Sequence, residues 1–228
     1  MNNIQKEFSR NAKFYNEYNQ IQKNVVNDLL SMLKDSPKHI LDIGAGRGEV
    51  YSQIGWPVKS FTAFDVSPEM CKLHQKAANV ETIQGDFNDS NAFAVLKNRY
   101  FDRIISASAL QWSKDIERTF AMIASLKAPV ALALFTSKTF ATLFKTAGLQ
   151  PILRSSDELI QAARPYFGDN VKLIEYRLSF ESKREMFRYI KRSGVSAGRN
   201  VLNYKETKRL MESYPLDYLE FEVLFIVS

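Results

Sequence analysis

The chain has 228 residues, 45% of them apolar and 25% charged, which is the make-up of a globular protein and excludes a fibrous or low-complexity one. The longest strongly apolar run, residues 128–135, is far too short to cross a bilayer, and the polar N-terminus has no apolar stretch of the kind that secretion signals use. Cys71 is the only cysteine and His39 and His74 the only histidines, so an intrachain disulfide is excluded, a Cys/His metal site is not expected, and a reduced, cytoplasmic setting is.

The net charge is +6, and its placement is uneven. Between Glu181 and Arg209 nine basic side chains face three acidic ones, which accounts for the whole excess. Such a stripe suits an acidic partner, whether nucleic acid, membrane surface or protein, and it equally suits a solvated helical face.

In chain order, Phe8, Ala12, Tyr15, Tyr18, Ile21, Val25 and Leu29 recur every three or four positions. That period predicts one long helix or two over residues 7–33, stopped by Asp35-Ser36-Pro37. Strands are then expected at residues 39–44, 60–66, 80–86, 100–108 and 130–136. Helical patterns at 48–54, 68–78, 88–98 and 113–126 separate them. This alternation predicts an α/β fold with a mostly parallel sheet and helices on both faces. Further on, helices are expected at 138–147, closed by Gly148, and at 155–163, with a strand at 171–180. A basic helix at 182–192, a helix at 204–213 and a last strand at 219–227 complete the chain.

Ile40-Leu41-Asp42-Ile43 runs into Gly44-Ala45-Gly46-Arg47-Gly48. An apolar strand that ends in glycines before a helix lets the backbone turn sharply and lets a ligand approach the helix N-terminus. The spacing is G-x-G-x-G, and Glu49 stands where a dinucleotide fold takes a third small residue. Alone, the loop fits a structural turn, a dinucleotide site or the cofactor loop of a methyltransferase. Asp65 follows about twenty residues on, the separation at which an acid reaches a ribose hydroxyl. Asp86-Phe87 ends the third strand and Ser106 the fourth. In a parallel sheet these four tips lie on one edge, where ligands bind.

This ordered set resembles the class I S-adenosylmethionine-dependent methyltransferases. The resemblance implies a Rossmann-like, seven-stranded sheet with an antiparallel last strand, and S-adenosylmethionine as cofactor. It implies a cofactor site of Asp42, Gly44, Ala45, Gly46, Asp65, Val66, Met70, Asp86, Phe87 and Ser106, with Asp65 on the ribose and Asp86 and Phe87 about the adenine. A closer likeness rests on Phe8-x3-Ala12-x2-Tyr15, a glutamine at 20 or 22, Ala109-Leu110-Gln111-Trp112, Gly194-Val195-x2-Gly198-Arg199 and Tyr214-Pro215-Leu216-x-Tyr218. These motifs resemble the malonyl-acyl-carrier-protein O-methyltransferases of biotin synthesis. The glycine loop departs from that family at Ala45 and Arg47, and Lys127-Ala128-Pro129 replaces its usual turn.

The resemblance implies methyl transfer to the free carboxylate of malonyl-acyl-carrier protein, with no general base, because a carboxylate is already ionised at neutral pH. Tyr15, Gln111, Trp112 and Arg199 are the expected substrate contacts, Tyr15 and Trp112 acting by positioning. Lys183, Arg184, Arg188, Lys191 and Arg192 are the expected docking face for the acidic carrier. The alternatives are a small-molecule carboxyl methyltransferase of trans-aconitate type, which shares Gln111-Trp112, and an RNA-modifying enzyme using the basic face. One domain is expected, with a helical lid at 1–36, a cofactor core at 37–180, a basic insertion at 181–214 and the last strand at 215–228. Neither a membrane nor a nucleic acid is the expected partner, and the expected state is a monomer.

Overall fold

The computed structural model describes residues 19–192 and 204–228. Its seven strands are β1 (His39–Ile43), β2 (Ser60–Asp65), β3 (Val80–Gln84), β4 (Arg103–Ala107), β5 (Val130–Phe135), β6 (Val171–Ser179) and β7 (Tyr218–Val227). They form one sheet in the order β3-β2-β1-β4-β5-β7-β6. The first five pair in parallel, as in Ile40↔Phe61 and Leu41↔Ile104. Strand β7 runs antiparallel to both neighbours, with Leu132↔Ile226 and Glu175↔Glu222 in register. This is the expected mostly parallel sheet with an antiparallel last strand.

The helices are α1 (Gln20–Ser31), α2 (Glu49–Gln53), α3 (Pro68–Leu73), α4 (Ser90–Ala94), α5 (Ile116–Ala124), α6 (Ala141–Ala147), α7 (Ser156–Phe167), α8 (Lys183–Arg192) and α9 (Tyr204–Ser213). Successive strand residues point to opposite faces, and the sheet is covered on both. On one face Ile40, Phe61 and Ile105 join Ile21, Val25 and Leu29 of α1, Met186 of α8 and Leu210 of α9. On the other, Leu41, Ile43 and Leu132 join Phe93 of α4, Phe120 of α5 and Leu159 of α7. Every residue of β5 is buried, which is why it reads as an unbroken apolar run. Each fully buried Leu, Ile or Phe contributes about 1.5–3 kcal/mol to holding these layers together.

The helix boundaries differ from the sequence reading for local reasons. Helix α3 stops at Leu73 because His74 leaves helical geometry and turns its ring in beside Tyr51 and Phe61. Helix α4 ends at Ala94, and the chain tightens into i→i−3 turns at Leu96 and Arg99. Helix α6 begins at Ala141 because Phe140 is left-handed, with φ +60°. Helix α7 has the capping box of Ser155 and Glu158 and runs through Pro165 to Phe167. There the edge-to-face contact of Phe167 with Phe120 helps offset the hydrogen bond that proline removes. Of the predicted N-terminal helix, the described part is α1, which is packed into the core; the expected lid otherwise falls on residues 1–18, outside the described residues.

Candidate functional site

The strand order reverses between β1 and β4, and ligands of open α/β sheets bind at the carboxyl edge of such a reversal. Here the chain leaves β1 through Gly44, Gly46 and Gly48, whose φ values are +74°, +54° and +93°. The N–H groups of Gly44 and Ala45 donate to the carbonyl of Phe64 at 2.7 and 3.2 Å, which ties the loop to β2. A Cβ on Gly44 would lie 2.2 Å from the Cβ of Ala109, and one on Gly48 would lie 2.8 Å from Nε2 of His74. Both positions therefore need glycine for space as well as for backbone conformation.

Asp65 at the tip of β2 is the loop's second anchor. Its Oδ2 accepts from the Gly46 N–H and its Oδ1 from the Ser67 N–H, each at 2.8 Å. Burial pushes its carboxyl up, and those two N–H groups partly oppose the shift. Asp42 is buried more deeply, at 1% exposure. Neither of its carboxyl oxygens has a hydrogen-bond partner among the described residues. Burial, then the charge of Asp65, holds it well above the ordinary carboxylate value.

Asp42 faces a cleft of about 450 Å³, counting the space open to solvent, whose walls include Asn19 and Gln22 of α1, the glycine loop and Ala107 of β4. Asn19 donates its Nδ2 to Glu49 at 3.1 Å, and Glu49 also accepts from Gln53 at 2.7 Å. The α1 helix is thus tied to the first turn of α2. Asn19 and Gln22 are both buried, and their carbonyl oxygens, like those of Asp42, have no partner among the described residues. Gln20, the other glutamine considered from sequence, is exposed. Asn19 and Glu49 were not candidates from sequence. The available signal was the polar pair Asn19 and Gln22 beside the apolar stripe of Ile21 and Val25.

The remaining expected cofactor residues lie nearby in different settings. Val66 is partly exposed and Met70 is buried in the first turn of α3, its N–H donating to the Ser67 hydroxyl. Asp86 accepts from the Asn88 backbone and side chain, both at 2.8 Å. Phe87 is buried in the core cluster with Phe64 and Phe93. Ser106 is fully buried, and its hydroxyl donates to the Ile43 carbonyl at 2.7 Å, strapping β4 to β1.

Beyond β4, Ser108 has φ +62°, and the Gln111 amide donates to its carbonyl at 2.7 Å. Gln111 is buried and Trp112 packs at the margin of the core. Ala109, through its contact at Gly44, sets this turn directly over the glycine loop. Tyr15 and Arg199, with the side chains of Lys191 and Arg192, lie outside the described residues. On α8, Met186 and Tyr189 point into the core while Arg184 and Arg188 are exposed. Lys183 is half-buried, donates to the Tyr214 carbonyl and lies over that ring, so it fastens α8 beside β7. Among the described residues no cluster of His, Cys, Asp and Glu could hold a metal, and no helix is long and apolar enough to cross a membrane.

Residues 40–129, from β1 to the turn before β5, match the family described as "Methyltransferase domain". The chain is 36% identical over 146 residues to the malonyl-[acyl-carrier protein] O-methyltransferase of Acetivibrio thermocellus, an alignment covering 58% of this chain and 48% of that protein. The chain thus spans about half the length of that relative. It is 24% identical over 95% of its length to the enzyme of the same name from Anoxybacillus flavithermus, covering 90% of it. A solved structure with the same fold, a putative methyltransferase from an antibiotic biosynthesis pathway of Anabaena variabilis, superposes with a TM-score of 0.62 at 15% identity, covering 89% of this chain and 96% of that one.

Proposed function

We propose, from the match of residues 40–129 to a methyltransferase domain, that this chain transfers the methyl group of S-adenosylmethionine to the carboxylate of a malonyl group on an acyl carrier protein. The acceptor is carried by one observation: relatives matching most or part of the chain share that name.

The cleft residues fit the cofactor. Asp42, Asn19 and Gln22 offer buried oxygens without donors, which suits the ammonium of the methionine part. The side-chain-free face of Gly46 leaves room for a ligand against the loop. Asp65 keeps lone pairs for ribose hydroxyls beyond those its two N–H partners occupy, and Asp86 stands at the next strand tip for the adenine. When bound, the cofactor supplies a methyl on a positively charged sulfur, an electrophile for in-line attack. The protein's part is then positioning and exclusion of water, since the acceptor carboxylate needs no deprotonation. The turn Ser108–Trp112, seated over the glycine loop, is placed to wall the acceptor side. Exposed Arg184 and Arg188 on α8 supply positive charge for an acidic carrier.

Growth of a bacterial strain that requires biotin, through loss of its own malonyl-carrier methyltransferase, tests the reading. Expression of this chain is expected to restore growth without biotin, and the Asp65→Ala variant is not. A strain that stays dependent while the folded protein accumulates would refute the acceptor assignment.

A further inference from the structure

Strand β6 is the outer strand of the sheet and pairs only with β7. It holds neither proline nor glycine over Val171–Ser179, and its ladder runs without a bulge from Val171↔Ile226 to Ser179↔Tyr218. Exposed edges are commonly blunted by proline, bulges or shortness. The opposite edge, β3, has five residues, and its Glu81 is paired with Arg99. The two ends of the β6–β7 ladder show which way the backbone groups of β6 point. The Asn170 carbonyl accepts from the Val227 N–H at 3.2 Å, and the Phe180 N–H donates to the Asp217 carbonyl at 3.0 Å. Even-numbered residues therefore face β7, and Leu173, Glu175, Arg177 and Ser179 turn their N–H and C=O groups outward.

The charges on this edge are incompletely matched within one copy. Glu175 stands opposite Glu222, a like charge, and Lys138 bonds to Glu222 at 2.8 Å. Arg177 stands opposite Glu220, whose carboxylate is held by the N–H and hydroxyl of Thr142. Glu175 and Arg177 are both exposed, and neither is in an ion pair among the described residues.

We propose that β6 is the contact strand of a homodimer, in which a second copy of this chain adds its own β6 antiparallel about a twofold axis at Tyr176. The proposal replaces the monomer expected from sequence and does not rest on the methyl-transfer reading. A twofold axis normal to the sheet keeps each face continuous across the joint. The outward groups pair odd residues with odd ones, so the axis position decides which side chains meet. An axis at Glu175 sets Glu175 against itself, and one at Arg177 sets Arg177 against itself. An axis at Ile174 pairs Leu173 with Glu175 and Val171 with Arg177. The axis at Tyr176 pairs Glu175 of each copy with Arg177 of the other, twice by symmetry. On the opposite face it sets Ile174 against Leu178 and Tyr176 against itself. These are the half-buried residues that pack on the α1 side of the core, so apolar meets apolar where acid meets base behind it.

Sedimentation of the full chain at concentrations up to about 300 μM tests this, and wild type is expected to dimerise, less so in about 0.5 M salt. Glu175→Arg or Arg177→Glu alone creates two like-charge pairs and should weaken the dimer about tenfold or more. The double variant Glu175→Arg/Arg177→Glu exchanges the charges and should restore it. An equal mixture of the two single variants should form a heterodimer, because every acid then meets a base. Wild type that stays monomeric throughout, or a dimer that the single variants leave unchanged, would overturn the proposal. Single variants that weaken the dimer without rescue by the double variant would overturn the axis at Tyr176. Circular dichroism melts check that each variant is folded.

Discussion

Gly44→Ala gives the sharpest test of how the cleft is built. The new Cβ would enter a left-handed backbone position with φ +74° and stop 2.2 Å from the Cβ of Ala109. The left-handed conformation costs about 1–2 kcal/mol for a residue with a Cβ. The overlap adds about 1–3 kcal/mol, since two packed segments must move apart. The sum is about 2–5 kcal/mol, or a fall of about 4–20 °C in the melting midpoint for a chain of this size. Gly46→Ala is the internal control. Its φ is +54°, but nothing lies within 4 Å of the added carbon, so about 1–2 kcal/mol is expected from the backbone alone. The double variant Gly44→Ala/Ala109→Gly should recover the overlap share and leave the backbone share. Thermal unfolding monitored by circular dichroism measures all four proteins. Equal losses in the two single variants, or no recovery in the double one, would refute the claim that the turn after β4 is seated on the glycine loop.

Three further predictions follow from the site. Asp65→Asn keeps one oxygen for the Gly46 and Ser67 N–H groups and sets an amide nitrogen, itself a donor, against the other, so stability should fall by about 1–3 kcal/mol and cofactor affinity by about 10–100-fold, read by melting and calorimetry. Reversing Arg184 and Arg188 to Glu should raise KM for the carrier about tenfold at low ionic strength with kcat unchanged, the difference shrinking in about 0.5 M salt. Asp42 holds its proton in the folded state above the ordinary value of 3.8. Its contribution to stability is therefore full below about pH 4 and is lost as pH rises through the folded value. Denaturant titrations across pH should show wild type losing stability relative to Asp42→Asn as pH rises, and a constant difference would contradict this.

The sheet was legible because its strands carry their own signals. The fully buried β5 and the apolar run into the glycines need no knowledge of distant residues. Asp65 was legible by its distance from the loop, although its direct hold on Gly46 and Ser67 was not. The tie between Asn19 and Glu49 joins residues thirty positions apart, and no local pattern announces it. Lys183 read as one more cation of a basic helix, and only the fold brings the Tyr214 carbonyl to it. Ser106 had the right position at a strand tip, but its hydroxyl turns into the sheet, a choice the sequence period cannot show.

The central claim is tested most directly by incubating the purified chain with methyl-labelled S-adenosylmethionine and malonyl-acyl carrier protein. The account predicts label on the carrier as a malonyl methyl ester, released by mild alkali and absent with Asp65→Ala. Label that goes instead to trans-aconitate or to RNA, with the carrier unmodified, would contradict it.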